Sequence, residues 1–232
     1  MKKNTSGRVA AIQNEFYLPR LENHGLYSAQ SVGWTDYLQV SLFDRMMKVL
    51  SSIDMEKQYT LLDVGCGLGD FIPHLRGAGY GNIAYTGIDI LPAMISSARK
   101  KYPGFDFRQG DFFLDDFSDS YDFVICSGAL NIIVQKGEEA HYSYVKEFIT
   151  RMFRLSGIAC SFNLLPLSGK EYFPEDSRFF YVDQNRVAAF CSGLCENVFV
   201  DYNHHEYIFT VHLVKEKRFF RDTFCDPSAL PA

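Results

Sequence analysis

The stretch from Leu61 to Asp70, Leu-Leu-Asp-Val-Gly-Cys-Gly-Leu-Gly-Asp, constrains the fold of this chain more than any other. A short apolar run followed by glycines is typical of a buried parallel strand that ends in a tight turn. Glycines at alternate positions remove Cβ atoms where a ligand has to approach the backbone. Apolar residues at helical spacing then predict a helix that begins near Asp70. The stretch therefore predicts a strand, a glycine turn and a helix that together bind a ligand.

The spacing of the glycines narrows the identity of that ligand. Proteins that bind dinucleotides carry G-x-G-x-x-G, whereas here the third glycine comes one residue early and Asp63 lies on the strand before the turn. This arrangement resembles motif I of the class I S-adenosylmethionine-dependent methyltransferases. The resemblance implies that Asp63 binds the amino group of the methionine portion of the cofactor. It also implies that the turn approaches the methionine and ribose through Gly65, Cys66, Gly67 and Gly69.

Two further strands end in acidic residues at positions that fit the same family. The stretch Ile83–Ile90 reads as a strand that ends in Asp89, where a carboxylate accepts hydrogen bonds from ribose hydroxyls, and Ile90 follows it beside the cofactor. A third strand ends in Asp111-Phe112. That pair resembles the position where a carboxylate receives the adenine amino group and an aromatic ring flanks the base.

A fourth strand, Tyr121–Gly128, resembles motif IV of the family. Because ligands bind where the strand order of a doubly wound sheet reverses, the ends of the first and fourth strands should flank the site. Ser127 and Gly128 are therefore predicted near the methionine end of the cofactor. Asn131 is a candidate contact for the substrate.

The predicted fold is an α/β sheet of seven strands, doubly wound and mostly parallel, with helices on both faces and an antiparallel last strand. It is the Rossmann-like methyltransferase fold, and the resemblance covers Thr60 to Val214. We expect one domain over residues 1–232. Within it, residues 1–55 form a helical cap or lid, residues 56–215 form the methyltransferase core, and residues 216–232 form a C-terminal extension.

The N-terminal region gives a weaker pattern. Residues 1–34 are polar and predict irregular structure with short elements at most, and apolar spacing then predicts a helix that ends near Ile53. In the resembled family such segments cap the cleft. Trp34 is therefore a candidate substrate contact, and Arg45 is a candidate partner for the carboxylate of the cofactor's methionine portion.

Two later segments supply the remaining candidates. The long aromatic connection Pro166–Tyr181 predicts a substrate loop, with Tyr172 as its candidate contact. The turn before the last strand carries His204 and His205, and antiparallel pairing brings it to the cofactor edge of the sheet. One hypothesis is that either histidine orients or deprotonates the acceptor, because imidazole suits proton removal near neutral pH. The alternative is a solvated turn.

Composition limits the partners. The chain has 23 Lys+Arg against 28 Asp+Glu and no strong basic block, which argues against a nucleic-acid partner. Its six cysteines lack metal-ligand spacing, which favours reduced thiols and no metal site. No apolar stretch of signal-peptide or membrane-spanning type is present, so we expect no membrane association and a cytoplasmic protein.

Together these features predict a methyltransferase that uses S-adenosylmethionine and releases S-adenosylhomocysteine. After the fourth strand the chain has Ser-Gly-Ala-Leu and not the Asn-Pro-Pro-aromatic sequence of enzymes that methylate base amino groups. A small molecule with an oxygen or nitrogen acceptor is therefore the first choice. The alternatives are a protein or RNA methyltransferase, an NAD-dependent oxidoreductase, and a non-catalytic scaffold that binds S-adenosylmethionine.

Overall fold

The computed structural model describes residues 2–115, 120–172, 177–205 and 207–220. Within these ranges the α-helices are α1 (Lys2–His24), α2 (Asp36–Met47), α3 (Phe71–Gly77), α4 (Pro92–Lys101), α5 (Glu138–Leu155), α6 (Gln184–Ser192) and α7 (Lys217–Phe220). The strands are β1 (Tyr59–Val64), β2 (Ile83–Asp89), β3 (Asp106–Gln109), β4 (Tyr121–Cys126), β5 (Ser156–Pro166), β6 (Tyr181–Val182), β7 (Val198–His205) and β8 (Ile208–Val214). Short 3-10 helices lie at Ala29–Val32, Lys48–Leu50 and Leu167–Glu171.

The main sheet has the strand order β3-β2-β1-β4-β5-β8-β7. The first five strands are parallel, and β8 is antiparallel to both β5 and β7. This confirms the predicted doubly wound fold, including its antiparallel last strand. The predicted count of seven strands omitted β6, a two-residue strand that pairs with the end of β5.

Side chains of β1 show how the two faces of the sheet are covered. Leu61 and Leu62 are adjacent and fully buried, and they belong to different apolar clusters because neighbouring strand residues point to opposite faces. The Leu61 cluster packs under α2, α3 and α4, whereas the Leu62 cluster packs under α5 and α6. Helices therefore cover both faces, as predicted.

The N-terminal region departs from its prediction. Residues 1–34 were expected to be irregular, but Lys2–His24 form one helix that includes Pro19. Val9, Gln13 and Phe16 are buried at spacings of four and three residues, which places them on one helix face. Gln13 is a polar residue in the middle of that face and weakens the apolar periodicity. The sequence pattern therefore does not indicate a helix.

The next helix agrees better with the sequence. Thr35 caps α2, and its Oγ1 accepts the N–H of Leu38 at 3.2 Å. The α-helix ends at Met47 and continues as a 3-10 turn to Leu50, short of the predicted end at Ile53. At the other end of the chain, Phe219 of α7 is buried, so the predicted C-terminal extension begins against the core.

Candidate functional site

A cavity lies at the carboxyl ends of the parallel strands, where the doubly wound sheet reverses its strand order. Three aspartates that follow or end strands line it: Asp63 from β1, Asp89 from β2 and Asp111 after β3. We call it the acidic cavity. Cys66, Ile90 and Ser127, which the sequence also predicted for the site, line it as well.

The glycine turn forms one wall of the acidic cavity. Gly65 has φ +73°, and a Cβ at this position would lie 2.5 Å from the Cβ of Ala129. Gly67 has φ +52°, and its Cβ would lie 3.1 Å from Cγ1 of Val32. Only glycine satisfies both the positive φ and the close approach. The turn therefore fits tightly against the loop after β4 and the segment before α2.

Gly69 is the last glycine of the turn, and it lies close to β3. It does not line the acidic cavity, and a Cβ there would lie 2.8 Å from the ring of Phe107 in β3. Its φ of +77° also requires glycine. Gly69 therefore packs the turn against the neighbouring strand, and its contact with a ligand stays a prediction.

Asp89 joins the end of β2 to the glycine turn. Its Oδ2 accepts the N–H of Gly67 at 3.0 Å and its Oδ1 accepts the N–H of Leu91 at 2.9 Å. Burial raises the pKa of Asp89 to about 6, although these hydrogen bonds oppose the rise. Because a carboxylate has about four lone-pair sites, Asp89 retains capacity to accept hydrogen bonds from hydroxyl groups of a ligand.

Asp63 is the most deeply buried of the three aspartates, with 5% of its surface exposed. The hydroxyl of Tyr85 donates to its Oδ2 at 2.8 Å. Burial raises the pKa of Asp63 to about 7; the Tyr85 hydrogen bond opposes this rise, and the negative charges of Asp89 and Asp70 contribute to it. A cationic group on a ligand would relieve this penalty, so the site is suited to bind an ammonium group.

Aromatic rings surround the third aspartate. Oδ1 of Asp111 accepts the N–H of Phe113 at 2.8 Å, which holds the loop after β3. The ring of Phe112 lies 4.7 Å from that of Phe148 between centroids, and both line the acidic cavity, as does Tyr144. A carboxylate beside aromatic walls suits a flat heterocycle that carries an amino group.

Helix α1 covers the acidic cavity, although the sequence pattern of residues 1–34 predicted only short elements. Gln13 donates from Nε2 to the carbonyl oxygen of Ala129 at 3.4 Å. Burial, together with the negative charge of Asp89, raises the pKa of Tyr17. Both side chains line the cavity. No local motif marks them, because their roles depend on where the helix docks.

A second cavity adjoins the first, and six aromatic rings line it. These rings come from α1, from the segment before α2, and from the loops after β5 and β7: Phe16, Tyr17, Trp34, Tyr172, Phe179 and Tyr207. We call it the aromatic cavity. It brings together three residues that the sequence proposed as substrate contacts, namely Trp34, Asn131 and Tyr172.

The loop after β4 separates the two cavities. Gly128 lines the aromatic cavity and not the acidic one, and a Cβ on it would lie 3.0 Å from Cζ2 of Trp34. Asn163 of β5 holds this loop, because it donates to Oγ of Ser127 at 3.1 Å and accepts the N–H of Gly128 at 2.9 Å. Gly128 thus packs against Trp34, and its predicted contact with the cofactor stays a prediction.

Asn131 is 3% exposed, and its backbone is fully paired: it donates to Gly128 at 3.1 Å and accepts from Phe180 at 2.8 Å. Its side-chain oxygen and nitrogen have no hydrogen-bond partner among the described residues. Leaving such a buried group unpaired costs about 1–3 kcal/mol. An unpaired amide in the wall of a cavity indicates a position where a ligand supplies the missing hydrogen bonds.

Arg45 is not among the residues that line either cavity, and its predicted contact with a ligand carboxylate stays a prediction. Its Nη1 lies 3.4 Å from Oδ2 of Asp201, which also receives Nζ of Lys48 at 2.7 Å. Asp201 is 4% exposed. A carboxylate buried to this extent requires cationic partners, and this requirement directs Arg45 to β7.

The side chains of His204 and His205 lie outside the described part of the structure, so the hypothesis about them stays a prediction. The register of the strands does describe the turn that they precede. Leu164 pairs with Phe209, which places the turn between β7 and β8 at the carboxyl end of β5, as expected. Tyr207 extends from this turn into the aromatic cavity.

The described ranges were also considered for metal sites, for disulfides and for helices that could span a membrane. No group of three or more His, Cys, Asp or Glu side chains is arranged to hold a metal ion there. The five cysteines in these ranges are buried free thiols. None of the helices that the structure describes has the length and apolar character needed to cross a bilayer.

The sequence of this chain is similar to those of known methyltransferases. A sequence profile of methyltransferase domains matches residues 61–150. A demethylmenaquinone methyltransferase of Chlorobaculum parvum is 31% identical over 98 residues, which are 42% of this chain and 39% of that protein. A putative methyltransferase of Mycobacterium tuberculosis is 25% identical over 51% of this chain and 69% of its own length. The chain thus spans about two fifths of the first relative's length.

Solved structures extend the likeness over the whole fold. The plantazolicin methyltransferase BpumL, crystallised with a desmethyl analogue and S-adenosylhomocysteine, superposes with a TM-score of 0.64 at 11% identity, covering 93% of this chain and 98% of that one. CalS10, an amino pentose methyltransferase from Micromonospora echinaspora with bound S-adenosylmethionine, superposes with a TM-score of 0.52 at 14% identity. The superposition covers 79% of this chain and 93% of that one. Residues 61–150 therefore match the methyltransferase domain family, and the chain shares its fold with solved S-adenosylmethionine-dependent methyltransferases.

Proposed function

We propose that this chain binds S-adenosylmethionine in the acidic cavity and methylates an oxygen or nitrogen of a small molecule in the aromatic cavity. The observation that carries the proposal is that the two cavities meet. Tyr17, Val32 and Trp34 line both of them, at the loop after β4. A methyl donor in one cavity and an acceptor in the other would therefore face each other across these three residues.

The residues of the acidic cavity fit the cofactor group by group. Asp63 is suited to the ammonium group, because a positive charge relieves its burial. Asp89 accepts hydrogen bonds from the ribose hydroxyls, as acidic residues at the end of the second strand do in nucleotide-binding sheets. Asp111 and Phe112 receive the amino group and the ring of adenine. Gly65 and Gly67 line this cavity, so the backbone of the turn is available to a ligand there.

When bound, S-adenosylmethionine supplies a methyl group on a positively charged sulfur; an acceptor lone pair forms the new bond, the carbon–sulfur electron pair returns to sulfur, and the acceptor proton passes to water. The contribution of this chain is alignment and exclusion of water. Helix α1 covers the acidic cavity through Gln13 and Tyr17, and Trp34 covers the junction. These are the functions expected of the cap predicted over residues 1–55.

Relatives and neighbours support a small acceptor. One relative is named for demethylmenaquinone, and the solved neighbours include an amino pentose methyltransferase. The division into a core of residues 56–215 and an extension of residues 216–232 is part of the proposal, as is a cytoplasmic location. Residues 221–232 lie outside the described ranges.

Calorimetric titration with S-adenosylhomocysteine tests the proposal, with NAD as a control ligand. The product is used because it cannot react. We expect saturable one-to-one binding of S-adenosylhomocysteine and no heat from NAD. Binding of NAD alone would make the chain a nucleotide-binding protein of a different kind. Binding of S-adenosylhomocysteine without turnover on any acceptor would identify a scaffold.

A further inference from the structure

The amide of Asn131 stands out within the aromatic cavity because both of its polar atoms are buried without a partner among the described residues, although Gln30, Thr35 and three tyrosines also line the cavity. Its backbone is anchored on both sides by Gly128 and Phe180. The residue is thus held at a set position in the cavity wall. A buried polar group that a fold does not satisfy is typical of a site completed by a ligand.

The walls around this amide select for shape. Trp34 and Tyr207 belong to opposite parts of the chain, and the ring of Tyr172 lies 5.0 Å from that of Tyr207 between centroids. Aromatic walls favour flat ligands, because ring pairs gain from stacked and edge contacts beyond simple burial.

The charge of the cavity disfavours cations. Arg20 lines it, and none of its lining residues in the described ranges is an aspartate or glutamate. Aromatic pockets that bind ammonium groups usually depend on ring faces without competing positive charge. This cavity therefore favours a neutral or acidic ligand.

We propose that Asn131 recognises the methyl acceptor, and that the acceptor is a flat aromatic molecule, neutral or acidic, whose ring hydroxyl or amino group hydrogen-bonds to the Asn131 amide. This inference rests on the proposed function and names the substrate class for the same site. Asn131 binds and orients the acceptor, and no proton transfer is assigned to it.

The test uses the full chain saturated with S-adenosylhomocysteine and two flat acids that differ by one hydroxyl, 4-hydroxybenzoate and benzoate. Calorimetry measures their affinities, and quenching of Trp34, the single tryptophan of the chain, locates them in the aromatic cavity. We expect 4-hydroxybenzoate to bind about fivefold more tightly than benzoate. Tyramine, a cationic phenol, should bind more weakly than 4-hydroxybenzoate.

Asn131→Leu distinguishes recognition from a structural role. Because the amide is unpaired in the free protein, the variant should have an unchanged or higher Tm, and it should bind the two acids equally. Asn82→Leu is the matched control, since its Oδ1 is also buried without a partner and it lies in neither cavity. That control should keep the fivefold preference.

Three results would overturn the proposal: equal affinities of the two acids in the parent protein, an Asn131→Leu variant that keeps the preference, or no binding of either acid. Each of these is judged with S-adenosylhomocysteine bound. Loss of S-adenosylhomocysteine binding by the parent protein is a separate result, and it would instead refute the proposed function.

Discussion

The acidic and aromatic cavities are neighbours, yet they are assembled in different ways. The acidic cavity takes its carboxyl groups from residues at or just beyond the carboxyl ends of three parallel strands, namely Asp63, Asp89 and Asp111. The aromatic cavity takes its rings from α1, from the segment before α2 and from two separate loops. The carboxyl groups of the acidic cavity therefore follow one another in chain order, whereas the aromatic cavity forms only when distant segments pack together.

The two cavities also differ in the unfavourable groups that the free protein buries in them. The acidic cavity buries carboxyl groups, and burial raises the pKa values of Asp63 and Asp89. The aromatic cavity buries one unpaired amide in Asn131. Both features lower the stability of the free fold, and both are groups that a bound molecule would satisfy. Stability and binding should therefore respond in opposite directions to their replacement.

The largest effect is expected from Gly65→Ala, which combines a positive φ with a Cβ placed 2.5 Å from that of Ala129. We expect the free energy of unfolding to fall by about 2–4 kcal/mol, from backbone strain and overpacking together. Urea denaturation measures this loss. Gly79→Ala is the matched control, because Gly79 has φ +90° but no neighbouring atom within 4 Å of a Cβ. Equal losses in the two variants would show that the close approach is unimportant.

The second prediction concerns Asp89→Ala. Loss of a carboxylate that accepts ribose hydroxyls should cost about 1.5–3 kcal/mol, which weakens S-adenosylhomocysteine binding roughly 10- to 100-fold by calorimetry. Asp106→Ala serves as the control, since Asp106 is an exposed residue of β3 outside the acidic cavity. An affinity equal to that of the parent would mean that the ribose lies elsewhere.

The third prediction is a pH dependence. If an ammonium group binds ionised Asp63, whose pKa is about 7, the affinity for S-adenosylhomocysteine should rise about tenfold between pH 6 and pH 8. Tyr85 donates to this carboxylate, and Asp89 and Asp70 lie close enough to influence it. Asp63→Asn should remove most of the rise. A rise of the same size in the variant would assign it to another group.

Stability of the free protein should change with pH in the opposite direction. The pKa of Asp63 is raised on folding, so the folded chain holds this proton more tightly than the unfolded chain does. Its stabilising contribution is complete below about pH 4 and is lost as the pH rises through about 7. Thermal unfolding at pH 5 and pH 8 measures the difference, which should be smaller in Asp63→Asn.

The smallest effect is expected at the rim of the aromatic cavity. Tyr172 is 44% exposed, and its ring contacts that of Tyr207. Tyr172→Ala should weaken 4-hydroxybenzoate binding about two- to fivefold, in the lower range for loss of one aromatic contact. Affinity for S-adenosylhomocysteine should not change. Tyr27→Ala is the control, because Tyr27 is 82% exposed and lines neither cavity.

The candidate site was predictable to the extent that its residues follow strands. Asp63, Gly65 and Gly67 were identified because a strand and a glycine turn are local features with a recognisable pattern. Gly69 was assigned to the ligand, and its packing against Phe107 on another strand was not predicted. Arg45 was assigned to the ligand as well, and its ion pair with the buried carboxylate of Asp201, far along the chain, was not predicted.

The sequence by itself determined the doubly wound sheet, its antiparallel end and the polar groups of the acidic cavity, because these depend on local periodicity and on residues at strand ends. Only the tertiary structure decided that residues 2–24 form a helix over that cavity and that Gln13 and Tyr17 line it. It also decided which rings surround Asn131. The physical reason is that weakly amphipathic helices and aromatic walls are stabilised by contacts between distant segments, and such contacts leave no periodic pattern in the chain.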